Sequence, residues 1–153
     1  MAEGIDRYQA LLDSVKEAES LYDEMYQEDY DTIDIENSVL SIALKNQIQL
    51  QMRWEEMYRE FESLYEQIQD ETDRMFSLAF KELNLNSYKQ LSFQEAKLHA
   101  SSDSDYVEYK RLLNRMNVIK CKTYSVVDTI KSRRYLLKNV CDVLYQGNES
   151  YII

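Results

Sequence analysis

The most regular pattern of this chain lies between residues 112 and 144, which read LLNRMNVIKCKTYSVVDTIKSRRYLLKNVCDVL. Apolar or small side chains recur there at steps of four and three residues, with one longer step where Arg133 falls. The positions are Leu112, Met116, Ile119, Thr123, Val126, Ile130, Leu137, Cys141 and Leu144. Such spacing is typical of a heptad seam, the stripe through which long helices pack together. It predicts one amphipathic helix over residues 105–146, ended by Gly147.

A second seam precedes this helix and begins at Trp54. Its positions are Trp54, Met57, Phe61, Leu64, Ile68, Thr72, Met75 and Ala79. Residues 34–84 contain neither glycine nor proline and consist largely of good helix formers. We therefore predict a single long helix over residues 34–84 with Trp54 in its core. A helix of that length without a terminator indicates packing against partner helices.

The remaining segments are shorter and more acidic. Residues 1–30 place apolar and aromatic side chains on one side of a predicted acidic N-terminal helix. The interval Glu28–Thr32 interrupts that pattern and predicts a hinge. Residues 85–104 are predicted to form a polar connector with a short helix or strand near residues 93–100, and residues 147–153 a tail. The expected fold is therefore all-α in one domain, with long amphipathic helices packed through heptad-like seams.

The amino-acid composition excludes several classes of function. The chain has 153 residues, 2 glycines and no proline, so it lacks the glycine-rich loops that bind nucleotide phosphates. One histidine and two cysteines are too few for a zinc finger or a Cys–His catalytic set within one copy. We predict no catalytic residues, no cofactor and no metal, hence no enzyme. No signal peptide or membrane-length apolar run is visible in the sequence, which predicts a cytoplasmic protein without membrane association.

The net charge of −10 is unevenly distributed along the chain. Residues 1–106 carry a net charge of −15, whereas residues 107–140 carry +7. The sequence thus joins a basic helix to an acidic body, and a basic segment of this kind indicates an anionic partner.

The cations of the last predicted helix form two flanks beside its seam, because successive residues are rotated by about 100°. One flank holds Arg111, Arg115, Lys122 and Arg133. The other holds Lys120, Lys131, Arg134 and Lys138, next to Tyr106, Tyr124 and Tyr135. Cations that alternate with aromatic rings are typical of proteins that bind single-stranded nucleic acid, because phosphates and unstacked bases are then both contacted. The predicted contacts are Lys120, Lys122, Tyr124, Lys131, Arg133, Arg134, Tyr135 and Lys138.

Two stretches of the C-terminal half resemble a known family. Residues 95–105 read EAKLHASSDSD and residues 130–140 read IKSRRYLLKNV. These match the E-x-K tripeptide, the S-x-D-x-D cap and the I-K-S-R motif, followed by an aromatic residue and a lysine, of the UvsY-like recombination mediators of bacteriophages. The matching positions are Lys97, Asp103, Asp105, Lys131, Ser132, Arg133, Tyr135 and Lys138. The resemblance covers roughly residues 95–140.

The resemblance implies a helical homo-oligomer, a ring of roughly six or seven copies, that binds single-stranded DNA. Such mediators help a RecA-like recombinase to load onto strand that is covered by single-strand-binding protein, and they have no catalytic activity. The family's basic K-A-R-L stretch is represented here only by Arg74 and Lys81, which moves the expected DNA contact to the C-terminal helix.

Two other functions fit parts of the sequence. In a structural coiled-coil adaptor, the basic flanks would pair with acidic helices and no nucleic acid would bind. An acidic DNA mimic would explain the first 106 residues but not the basic helix.

Overall fold

The fold is all-helical within the residues that the structure describes. The computed structural model of the chain describes residues 2–33, 40–86 and 91–145. It contains α1 (Ala2–Ile33), α2 (Leu40–Asn86), α3 (Phe93–Ser101) and α4 (Ser104–Tyr145), and no strand occurs in these ranges. The prediction of an all-α chain with two long helices is confirmed. The start of the predicted long helix at residues 34–39 and the predicted tail at residues 147–153 lie outside the described residues.

The predicted hinge at Glu28–Thr32 is wrong, because α1 continues through this interval to Ile33. Its acidic residues are held by α2. Trp54 donates its indole N–H to Asp29 Oδ2 at 2.9 Å, and Arg53 bonds Asp29 Oδ1 at 3.3 Å and Glu28 at 2.7 Å. Buried Asp29 therefore anchors the last turns of α1 instead of breaking them.

Local capping explains how the connector forms a helix. The Ser92 hydroxyl accepts from the Glu95 N–H, and the Glu95 carboxylate accepts from the Ser92 N–H, which together make a capping box for α3. Asp103 then accepts from the N–H groups of Asp105 and Tyr106 at the start of α4. Of the two alternatives for residues 93–100, the helix is therefore observed.

The chain divides into two compact units, and α1, α2 and α4 each contribute to both. The first unit consists of Met1–Ala18 and Phe61–Val118, and the second of Glu19–Glu60 and Ile119–Ile153. Aromatic contacts join the helices of the first unit: the rings of Tyr8 and Tyr109 lie 5.1 Å apart, and those of Phe76 and Tyr106 lie 5.4 Å apart.

The second unit is built around Trp54. This side chain is fully buried, as predicted, and the rings of Tyr22 and Tyr26 meet it edge-on at 6.0 and 6.4 Å. The α2 and α4 segments of this unit are antiparallel, because Gln47 donates to the Ile130 carbonyl at 2.8 Å while the ring of Tyr58 contacts that of Tyr124. None of the helices, over the ranges described, has an apolar stretch long enough to cross a bilayer.

Candidate nucleic-acid interface

The α2 and α4 segments of the second unit leave an open groove of about 770 Å³ between them. We call it the α2–α4 groove. Six of its lining side chains give it its chemistry: Ile48, Met52 and Glu55 of α2, and Arg134, Tyr135 and Lys138 of α4. The α2 wall alternates apolar with polar side chains, since Gln47, Gln51 and Glu55 also line it, and the α4 wall carries two cations and an aromatic ring.

The groove lies in the part of the chain that lacks acidic residues. No aspartate or glutamate occurs in the sequence from residue 37 to residue 54, although the full chain has 28. A second interval without acids covers residues 129–141 of α4. The described groove-lining residues come from these two intervals, apart from Glu55, which directly follows the first of them. The local field should therefore favour anions, even though the net charge of the chain is negative.

The side chains at the mouth of the groove are unusually exposed. Ile48 and Met52 are 67% and 66% exposed, and Tyr135 is 71% exposed. Large apolar side chains that share one groove indicate a binding surface more strongly than the same residues scattered singly. Sequence analysis missed Ile48 and Met52, because it read the α2 seam only from Trp54 onward. The signal that identifies them is the interval without acids at residues 37–54.

Two cations of the groove are available for a ligand. Among the described residues, Arg134 and Lys138 have no carboxylate within salt-bridge distance. Lys131 instead pairs with Glu55 at 3.3 Å, at the edge of the groove. Hydrogen bonds from Gln51 and Lys131 hold the pKa of Glu55 below its usual value. Glu55 is therefore ionised at neutral pH and competes with any anion for Lys131.

Arg133 requires a correction. Sequence analysis places it among the strand contacts, but the structure buries it to 6% exposure. Its guanidinium donates to the Thr32 carbonyl near the end of α1 and to the Ala43 carbonyl of α2 at 3.3 Å. Burial lowers its pKa, yet arginine titrates so far above neutral that it stays charged. Arg133 joins three helices of the second unit and is not exposed to a strand.

The heptad pattern contained a signal for this burial. Arg133 lies three residues after Ile130 and four before Leu137, which is where the seam requires its next position. Both of those neighbours are fully buried. The apparent interruption of the seam is thus a seam residue with a polar side chain, and backbone carbonyls accept from two of its guanidinium nitrogens.

The other predicted contacts are spread over two sides of α4. The Lys122 ammonium lies 5.8 Å from the ring centre of Tyr22 on α1, and is therefore on the side of α4 that faces α1. The Tyr124 ring is 54% exposed and tilted against Tyr58 of α2 at 5.6 Å. Lys120 is half-buried. The structure therefore brings Arg134, Tyr135 and Lys138 together, with Lys131 at their edge, and leaves Lys122 and Arg133 elsewhere.

Arg74 and Lys81, the two bases compared above with the K-A-R-L stretch of the UvsY-like family, lie in the first unit. Arg74 bonds Glu71 at 2.7 Å, and the same glutamate accepts from Arg7 at 2.7 Å. Arg74 is thus already paired with a carboxylate. Over the described ranges, no cluster of three or more His, Cys, Asp or Glu residues could hold a metal ion.

Comparison with known proteins finds no match to this chain among family models, curated proteins or solved structures.

Proposed function

We propose that this protein binds single-stranded DNA in the α2–α4 groove and acts as a recombination mediator. The observation that carries the proposal is the groove itself, in which Arg134, Tyr135 and Lys138 face solvent from an interval without acids. Cations at this position can contact phosphates, and the tyrosine ring offers a surface on which a base can stack.

The mediator role rests on the resemblance of residues 95–140 to the UvsY-like family. In this proposal the copies assemble into a ring, and each contributes one groove. Several weak grooves that hold one strand reach a combined affinity far above that of each alone. The ring would then retain a strand while a RecA-like recombinase replaces the single-strand-binding protein on it.

The primary test is the binding of fluorescently labelled oligo-dT, followed by anisotropy at about 50 and 200 mM salt. We expect the logarithm of the affinity to fall with the logarithm of the salt concentration by about 0.7 per phosphate contact. The double variant Arg134→Ala/Lys138→Ala should weaken binding about tenfold and reduce this slope by about 1.4, because two phosphate contacts are lost.

The matched control is Lys110→Ala/Arg111→Ala. Both residues are exposed on α4, in the first unit, and their removal changes the net charge by the same amount. If the two double variants weaken binding equally, the strand responds to overall charge and the groove is not its site.

Assembly and mediation need separate measurements. Light scattering should give a mass of about six or seven times the 18.3 kDa of one chain. With the recombinase and the single-strand-binding protein of the same organism, the chain should shorten the lag before strand-dependent ATP hydrolysis on covered strand. The variant Arg134→Ala/Lys138→Ala should leave the mass unchanged and fail to shorten the lag.

A structural adaptor is the second candidate, and the Lys131–Glu55 pair favours it. This contact shows that a carboxylate can occupy a cation of α4, which is what an acidic helix from another chain would do more extensively. An absence of oligo-dT binding at the lower salt concentration would select the adaptor.

A further inference from the structure

We infer that a single strand enters the α2–α4 groove with its bases inward, between Tyr135 and the exposed apolar side chains of Ile48 and Met52. This inference rests on the proposed function and specifies the ligand as unpaired nucleic acid. The phosphates then follow the rim, where Arg134 and Lys138 are available. Ile48 and Met52 thereby become base contacts.

The two walls differ in a way that orients a strand. A phosphate gains nothing from the side chains of Ile48 and Met52, because an apolar contact does not replace the water that a charge loses. A base has an apolar face and gains from the same contact. Each nucleotide therefore places its base towards α2 and its phosphate towards the cations of α4.

The groove is elongated along α2. Its lining on this helix runs from Leu44 to Glu55, which corresponds to about 16 Å along the helix axis.

Base-inward binding excludes duplex DNA. In a duplex the faces of the bases are stacked on one another, and only their edges and the phosphates can be reached. A duplex could contact Arg134 and Lys138 but could not place the face of a base on Ile48 and Met52. We therefore expect the wild-type protein to bind oligo-dT at least about tenfold more tightly than a duplex of the same length.

The deciding experiment compares oligo-dT with an abasic oligonucleotide of the same length, which keeps the phosphates and lacks the bases. The variant Ile48→Ala/Met52→Ala should lower the affinity for oligo-dT about fivefold to tenfold, with an unchanged salt slope. It should leave the affinity for the abasic strand unchanged. The variant Arg134→Ala/Lys138→Ala should weaken the binding of both strands.

The control is Ile42→Ala/Leu78→Ala, which truncates two exposed apolar residues of α2 that do not line the groove. This control should have no effect on either strand. Since all four positions are exposed, the two double variants should unfold at the same denaturant concentration as the wild type within error.

The outcomes separate the inference from the proposed function. If Ile48→Ala/Met52→Ala binds both strands normally while Arg134→Ala/Lys138→Ala does not, the bases stay outside the groove and strand binding stands. If the wild type binds neither strand, the proposed function itself fails. A changed oligomer mass for Ile48→Ala/Met52→Ala would assign the groove to a second copy of the chain and overturn the inference.

Tyr135 provides a second measurement within the groove. Tyr135→Phe keeps the ring and should bind oligo-dT within about twofold of the wild type, whereas Tyr135→Ala should lose about fivefold or more. Equal losses from the two substitutions would mean that the hydroxyl is the contact, and would overturn the placement of a base on this ring.

Discussion

The two compact units use the same three long helices but differ in the charge that α2 brings to each. In the first unit, residues 61–86 of α2 carry six acidic and two basic residues. In the second unit, residues 40–60 of α2 carry three acids, all of them between residues 55 and 60, and three bases. Cations of α4 therefore share the first unit with many carboxylates, whereas in the second unit Arg134 and Lys138 line a groove with a stretch of α2 that has no acid before Glu55.

This difference shows that a basic helix alone does not define an anion-binding surface. What matters is which segment is packed beside it, since a neighbouring carboxylate cancels a cation at close range. Arg7 of α1 illustrates the first case, because Glu71 of α2 already binds it at 2.7 Å. Lys138 of the second unit illustrates the other case, as it lines the groove without a carboxylate partner among the described residues.

The largest expected effect tests the difference between two neighbouring arginines of the second unit. Arg133→Ala removes the donor to one buried and one partly buried carbonyl and leaves a cavity, and we expect it to lower the free energy of unfolding by roughly 2–4 kcal/mol. Arg134→Ala should change it by less than about 0.5 kcal/mol, because this side chain is exposed. Urea denaturation followed by circular dichroism at one protein concentration measures both. Equal losses would contradict the assignment of Arg133 to the interior.

An acid added to the α2 wall of the groove should bring a carboxylate close to the cations of α4, as in the first unit. Gln51 lines the groove, and Gln51→Glu adds a carboxylate to the interval without acids. We expect the affinity for oligo-dT to fall about fivefold at low salt, because the added charge repels the phosphates. The same substitution at exposed Gln67, in the acidic part of α2, is the control and should be close to neutral. Anisotropy titrations at one salt concentration compare them, and a similar loss from both would show that only net charge matters.

Removing Glu55, the acid among the described groove-lining residues, should have the opposite and smallest effect. Glu55→Gln releases Lys131 and should raise the affinity for oligo-dT about twofold to threefold, because a partly exposed ion pair contributes less than about 1 kcal/mol. The salt slope should steepen by up to about 0.7 as Lys131 gains a phosphate. Glu56→Gln, at the exposed neighbouring position, is the control. Unchanged binding after Glu55→Gln would place Lys131 outside the strand path.

Sequence reasoning predicted the helices well where local periodicity decides them. The seam from Trp54 and the seam from Leu112 correspond to buried stripes of α2 and α4, because heptad spacing directly encodes which side of a helix packs. The hinge failed for the opposite reason. Asp29 is held by Trp54, a contact that spans 25 residues and has no local signature.

The candidate site was also predicted only where the pattern within one helix decides it. The exposed flank that contains Arg134, Tyr135 and Lys138 followed from helical angles alone. Its partner wall did not, because the pairing of Ile48 and Met52 with α4 depends on the register between two helices. Arg133 was misassigned because an angle around one helix does not show how deeply a neighbouring helix covers each position.

Composition and spacing alone determined that this chain forms long helices with apolar seams and concentrates positive charge near its C-terminal end. Both properties depend on residues within a few turns of one another, and so they can be read along a single helix. The tertiary structure decided which cations remain in water and which apolar side chains accompany them. That decision depends on the packing of α2 against α4, through contacts between residues about eighty positions apart, such as the hydrogen bond from Gln47 to the Ile130 carbonyl.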